Sequence, residues 1–208
     1  MSSKQYFEDI AGKWDEMRSS FFPESVREKA VEKAGVKVGS VAADLGAGSG
    51  FVTEELLKRG AKVIAVDQAE QMLEIMRKKF GSNAPVEYRL GEAEELPLQS
   101  GSVDAAFANM YLHHVEHPAL AIKEMARILK PGGKLVITDL DEHHFEFLVT
   151  EQHDRWMGFK REDVKRWFEE VGLKNVIVES ANAICSSQAQ SATAQANVSI
   201  FLAYGEKV

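Results

Sequence analysis

Residues 44–50 read Asp44-Leu45-Gly46-Ala47-Gly48-Ser49-Gly50, three alternating glycines set between an apolar run, Val41 to Leu45, and a helical pattern that starts near Phe51. A turn of this kind needs glycine for two reasons. Some of its positions demand positive φ, and a side chain would hold a ligand away from the backbone. The next strand is expected over Ala61 to Val66 and hands on to Asp67, 21 residues beyond Gly46. In doubly wound nucleotide sites an acid roughly 20 residues past the glycine loop accepts hydrogen bonds from ribose hydroxyls. Together the two signals describe an adenosine-bearing ligand at the carboxyl ends of the strands. A dinucleotide fingerprint, G-x-G-x-x-G, would require glycine where Phe51 stands, and the Lys-Ser/Thr pair of a Walker-type loop is missing.

Outward from this loop, strand and helix alternate, which is the pattern of βαβ units around a parallel sheet with helices on both faces. The helix over Phe51 to Arg59 is followed by another over Ala69 to Phe80, with Met72, Met76 and Phe80 on one face. Strands are expected at Val86 to Leu90 and Val103 to Asn109. The helix from Pro118 to Leu129 stops at Lys130-Pro131-Gly132-Gly133, and a strand follows over Leu135 to Thr138. Toward the amino terminus, Tyr6, Ile10, Trp14 and Met17 share one face of a single helix to about Arg18; a second helix, Ser25 to Ala34, ends at Gly35. Beyond Asp139, helices are expected over His143 to Met157 and Glu162 to Val171. Two strands without a helix between them, Val176 to Ser180 and Val198 to Tyr204, read as an antiparallel edge hairpin. Between them Cys185 to Asn197 is small, polar and uncharged, and reads as a mobile loop without assigned chemistry.

Composition narrows the function classes. A chain of 208 residues with 45% hydrophobic and 27% charged residues is sized for one domain with a real core. Its 25 Lys and Arg against 32 Asp and Glu, net −7, are dispersed, so a phosphate backbone is repelled and no nucleic-acid partner is expected. The lone cysteine, Cys185, excludes an intrachain disulfide and a thiolate-rich zinc site and suits a reducing compartment. Acidic residues near the start interrupt any signal-peptide pattern, and no run approaches the roughly 20 apolar residues of a membrane span. A cytoplasmic protein is expected; nothing in the composition sets an oligomeric state.

The strings DLGAGSG, VIAVD, GEAEELP, SVDAAFAN and LKPGG, in this order and at these separations, resemble the class I S-adenosylmethionine-dependent methyltransferases. Within them the resemblance is to the ubiquinone/menaquinone C-methyltransferases and other small-molecule enzymes, over about residues 38–140. The stretch from His144-Phe145-Glu146-Phe147-Leu148 through Trp156-Met157-Gly158-Phe159 is similar to methyltransferase domains beside or fused to ArsR-type regulators. The resemblance implies a Rossmann-like α/β fold whose seven-stranded sheet has six parallel strands and a last, antiparallel one, in agreement with the hairpin. It implies S-adenosylmethionine as cofactor and S-adenosylhomocysteine as product. Gly46, Ala47 and Gly48 would pass along the cofactor, with Asp44 organising the amino group of its methionine portion. Asp67 would hold the ribose hydroxyls, Gln68 would lie beside the adenine, and Met72 would pack on its face. Glu92, where the family more often has aspartate, and Ala93 would meet the adenine edge, and Asn109 would approach the methionine portion.

The implied reaction is in-line displacement at the methyl carbon of a sulfonium, with a small molecule as methyl acceptor. All six histidines fall between residues 113 and 153, after the fourth and fifth strands, on the ligand-binding side of such a sheet. His114 and His144 are the candidate catalytic residues, as base or hydrogen-bond partner, and His113 a neighbour of the acceptor; the His113-His114 pair also reads as a shaping element of its loop. Tyr6 and Trp14 are candidate lid residues and Trp156, with Phe159, a candidate wall of the acceptor pocket, core packing being the alternative for each. No metal is expected, since adjacent histidines such as His143 and His144 rarely converge on one ion with His153.

A single domain, residues 1–208, is therefore expected. Its parts are an N-terminal helical lid (1–35), a cofactor-binding core (36–140), a helical insertion near the acceptor pocket (141–172) and a C-terminal hairpin (173–208). Two rival functions stay open: a nicotinamide-dependent oxidoreductase, which Phe51 disfavours, and a non-catalytic S-adenosylmethionine-binding protein. Asn109-Met110-Tyr111-Leu112 stands where amide and exocyclic-amine methylators carry Asn/Asp-Pro-Pro-Tyr, and one cysteine makes arsenite a poor acceptor.

Overall fold

A computed structural model describes residues 3–189, 191 and 194–208. Its centre is β1 (Val41–Leu45), paired in parallel with β2 (Lys62–Asp67) on one side and β4 (Val103–Asn109) on the other, Asp44 lying opposite Ala65 and Phe107. β3 (Val86–Leu90) extends the sheet beyond β2, and β5 (Leu129–Leu140) continues it beyond β4. β7 (Gln195–Glu206) runs antiparallel to β5 and is covered by β6 (Lys174–Gln188), so the order is β3-β2-β1-β4-β5-β7-β6. Six strands point one way and β7 the other, as expected; the hairpin closes the sheet edge with β7 inside and β6 outermost.

Alternation along the strands divides the core between the two faces. Ala43 and Leu45 of β1 pack with Ile122 and Met125 of α6 (Pro118–Ile128) and Val164 and Phe168 of α8 (Arg161–Glu170). Ala42 packs instead with Val26 and Val31 of α3 (Ser25–Ala34) and Phe51 and Leu56 of α4 (Phe51–Lys58). Near the glycine loop, Leu73 and Met76 of α5 (Glu70–Phe80) seal Ala47 and Ala65.

Three local expectations change. The first helix divides into α1 (Ser3–Ile10) and α2 (Trp14–Phe21) around a 3-10 turn at Ala11–Lys13, where Gly12 interrupts the helical run. The segment expected to be helical from His143 to Met157 keeps only α7 (Glu146–Glu151), because backbone ties such as His143 N–H to Met157 C=O and Glu142 N–H to Phe159 C=O draw its ends together. The expected loop over Cys185–Asn197 is largely strand: β6 runs to Gln188 and β7 begins at Gln195, with Cys185 opposite Val198. Ala181, Ala183, Ala196 and Val198 are buried in the core under α3, so small residues suffice to make a buried face there. Gln190, Ala192 and Thr193 of that segment lie outside the described residues.

Candidate active site

The sheet order reverses at β1, whose neighbours β2 and β4 arrive from opposite directions along the chain, and ligands of open α/β sheets bind beyond the strand ends at such a point. A cleft of two lobes lies there. The inner lobe is lined by Asp44, Gly46, Ala47, Gly48, Asp67, Met72 and Asn109; the outer by Glu92 and Ala93, and Gln68 borders both. All ten residues expected to contact the cofactor thus meet in one place. Glycine is required at Gly46, where φ is +64° and an added Cβ would sit 2.2 Å from Tyr111 Cγ. At Gly50, φ is +90° and a Cβ would meet the Phe80 ring at 2.5 Å.

Two buried carboxyls shape the inner lobe. Asp67 Oδ2 accepts from Gly48 N–H at 2.8 Å and Oδ1 from Ala69 N–H at 2.9 Å, tying the end of β2 to the loop after β1. Burial pushes its pKa up to about 6 against these hydrogen bonds. Asp44 Oδ2 accepts from Thr53 N–H (2.9 Å) and Thr53 Oγ1 (2.6 Å), anchoring the first turn of α4, and burial pushes this carboxyl up to about 7. Asn109 Oδ1 accepts from Thr138 Oγ1 at 2.8 Å. Opposite the carboxyls stands Arg18, its guanidinium carbon 4.3 Å from the centroid of the Phe51 ring and its Nε buried without a partner.

The N-terminal helices cover the cleft. Trp14 lies against Gly48, its Nε1 3.4 Å from where a Cβ would stand there. Phe7 packs edge-on against Trp14 (5.2 Å) and His114 (5.0 Å). Two acids latch this cover: Glu8 accepts from Glu70 and Gln71 N–H at the start of α5 (2.8 and 3.1 Å), and Asp15 accepts from Ser49 Oγ in the glycine loop. With Tyr111 stacked on Gly46, the inner lobe keeps only about 50 Å³ of free space, against about 470 Å³ in the outer lobe.

The histidines and aromatic residues fall less simply. His113 is buried behind the cleft wall: its Nδ1 donates to Asp139 Oδ1 at 2.7 Å. Burial lowers its pKa, but the charges of Asp139 and Asp154 outweigh that and raise it to about 9. His114 borders both lobes, and its Nδ1 faces Asp154 at 3.8 Å. Burial, and then the neighbouring His113, hold its pKa well below the ordinary range. His114 thus borders the cleft with its ring while its Nδ1 is turned to Asp154. His144 lines a separate surface pocket with His143, Asn197 and Ser199, away from the cleft. Tyr6 packs on Phe7 and His153, and it is Phe7 that reaches the cleft. Trp156 is 41% exposed and donates through Nε1 to Val115 C=O at 2.8 Å, outside both lobes. Phe7, Arg18, Tyr111, Asp139 and Asp154 were missed in the sequence. Phe7 and Tyr111 adjoin residues that the spacing singled out, but nothing local distinguishes Asp154 from any loop acid.

A family profile for a methyltransferase domain matches residues 43–137. A demethylmenaquinone methyltransferase of Staphylococcus aureus is 30% identical over 206 residues, 84% of this chain and 86% of its own. The chain belongs to the methyltransferase family. An uncharacterized methyltransferase of Mycobacterium tuberculosis is 39% identical over 129 residues, covering 62% of this chain and 49% of its own, so the chain spans about half the length of that relative. Among solved structures, a chain from the Haloferax volcanii complex of the Trm112 activator with a methyltransferase superposes with a TM-score of 0.76 at 19% identity, covering 96% of each chain. Phosphoethanolamine N-methyltransferase 2 of Haemonchus contortus, bound to S-adenosylhomocysteine, gives 0.73 at 19% identity over 87% of this chain and 52% of its own. These two share the seven-stranded fold. Among the described residues no helix is long and apolar enough to cross a membrane.

Proposed function

We propose that the cleft binds S-adenosylmethionine and that the protein transfers its methyl group to a small molecule. The observation that carries this is the convergence of all ten expected cofactor residues on one cleft at the strand-order reversal. The residues present suit the group: the glycine loop is bare of side chains, Asp67 and Asp44 offer acceptor oxygens, and the unpartnered Nε of Arg18 is a donor in search of an anion. Bound there, the cofactor supplies a sulfonium methyl for in-line displacement. Asp67 holds the ribose hydroxyls and Asp44 the amino group, while Arg18 takes the carboxylate. Met72, Gln68, Glu92 and Ala93 surround the adenine, and Asn109 stands by the methionine portion.

The protein's contribution is alignment, an effect that can lower a barrier by roughly 7–11 kcal/mol. Phe7 and Trp14 shut water out, and with Tyr111 they must move aside for the cofactor, given the small free space of the inner lobe. Neither His113, whose nitrogens face Asp139 and Asp154, nor His114, whose Nδ1 faces Asp154, is placed as a base, and His117 borders the outer lobe. The acceptor we assign is one whose attacking atom needs no His113 or His114 base, such as an electron-rich quinol carbon or a thiolate; the name of the Staphylococcus aureus relative supports the former. We assign the reaction to one domain, residues 1–208, working in the cytoplasm, with 1–35 as its lid.

Calorimetry with S-adenosylmethionine, S-adenosylhomocysteine and NAD, followed by methyl transfer to quinol, thiol and phenol acceptors, tests this reading. Heat with the two sulfur nucleosides and none with NAD is expected, then transfer to quinol carbon or thiol. No heat with either nucleoside overturns the cofactor assignment, and turnover confined to phenols of high pKa overturns the acceptor class.

A further inference from the structure

Behind the cleft wall two ring nitrogens and a carboxylate turn toward one another. His113 Nδ1 donates to Asp139 Oδ1 (2.7 Å), and its Nε2 faces Asp154 Oδ1 at 3.8 Å. His114 Nδ1 is buried without a hydrogen-bond partner and lies, again, 3.8 Å from Asp154 Oδ1. Asp154 Oδ1 is itself buried and unpartnered. Two imidazole nitrogens and a carboxylate oxygen, all buried and within 4.8 Å of one another, form a cluster in which His114 Nδ1 and Asp154 Oδ1 have no hydrogen-bond partner.

We propose that His113 Nε2, His114 Nδ1 and an Asp154 oxygen bind one divalent transition-metal ion, with Zn²⁺ as the reference ion. Two imidazoles and a carboxylate are the ligand set of borderline ions, and a tetrahedral site with bonds of about 2.0–2.2 Å has ligand edges of roughly 3.4 Å, so the two 3.8 Å edges to Asp154 would contract slightly and the rings would close in on the ion. One outer partner is in place: Asp139 holds the far nitrogen of His113, orienting Nε2 toward the ion. His143 is excluded, because its Nδ1 accepts from Phe145 N–H and its Nε2 carries the proton. Adjacent histidines converge here because one uses Nε2 and the next Nδ1, and because the third ligand comes from a distant loop. That arrangement departs from the metal-free expectation. The ion would pin the turn after β4 to residues 153–156, where Arg155 and Trp156 N–H already donate to His113 C=O. Tyr6 on His153 and Phe7 on His114 then rest the cover of the cleft on this knot. The inference is independent of the methyl-transfer reading.

The test is equilibrium dialysis of the purified full chain against Co²⁺ or Zn²⁺ at pH 8, read by elemental analysis, with visible absorption of the Co²⁺ form. One ion per chain and the intense bands of four-coordinate Co²⁺ are expected. Asp154→Asn should weaken binding at least about tenfold, as loss of a ligand requires, whereas His117→Ala with His144→Ala should bind as the natural chain does. Should Asp154→Asn fail to fold, imidazole ¹⁵N shifts of the natural chain decide, with His113 metallated at Nε2 and His114 at Nδ1. A chain that stays metal-free in the dialysis overturns the proposal. Equal binding by Asp154→Asn, or loss of binding in the His117/His144 variant, also overturns it.

Discussion

Replacing Asp67 by Asn keeps the shape of the side chain and removes an acceptor. Both carboxylate oxygens accept backbone N–H groups, from Gly48 and Ala69, so the amide NH₂ of Asn must face one of those donors. A charge-assisted hydrogen bond is lost and a buried N–H is left unpaired, which costs about 1.5–3 kcal/mol. The same acceptor is missing for the ribose, so cofactor affinity at pH 7.5 should fall by roughly 10- to 150-fold, each 1.4 kcal/mol being a factor of ten. The pH dependence sharpens the test. In the ligand-free protein Asp67 ionises at about 6, raised by burial, and the ribose is held by the ionised form. Natural-protein affinity for S-adenosylhomocysteine should therefore drop between pH 7 and pH 5 by about tenfold more than that of Asp67→Asn, in which only Asp44, ionising at about 7, still titrates. The linkage to stability has the opposite sign: a carboxyl whose folded pKa lies above its unfolded value makes the ligand-free fold less stable as pH rises from about 4 to about 6. Titration calorimetry at pH 5, 6, 7 and 8 measures the first effect. Natural protein with pH-independent affinity, or Asp67→Asn binding as tightly as natural protein at pH 7.5, would refute the placing of the ribose on this carboxylate.

Gly46→Ala should destabilise by about 1–2 kcal/mol for its left-handed backbone and by about 1–3 more for the collision with Tyr111. Thermal melting should show that adding Tyr111→Ala relieves the collision but not the backbone cost. Arg27, 1% exposed, donates to Phe51 C=O and Glu54. Its replacement by alanine should cost about 3 kcal/mol in urea unfolding, the low end for a broken buried ion pair because Glu54 is partly exposed and keeps Lys58 and Lys79. His144→Ala should leave turnover within about twofold, as for a surface change, since the side chain lines a separate pocket; a large loss in the methyl-transfer assay would return it to the reaction.

The cofactor half of the site was legible in the sequence because its signals are local. Gly46, Gly48 and Gly50 mark a turn, Asp67 closes the adjacent strand, and backbone conformation and period-two burial are properties of neighbouring residues. The parallel core from β1 to β5 and the hairpin at its edge were read for the same reason. What only the tertiary structure decided depends on residues distant in the chain. Cys185–Asn197 looked too polar to be strand, yet alanines suffice where α3 brings a buried surface against them. Trp14 and Phe7 became the cover of the cleft through contacts with Gly48 and His114, and Glu8 through the free N–H groups of α5. The surroundings of His114 are ones no spacing encodes, because Asp154, distant in the chain, lies 3.8 Å from its Nδ1. Backbone geometry travels along the chain, but the direction of a side-chain lone pair is set by whatever packs against it.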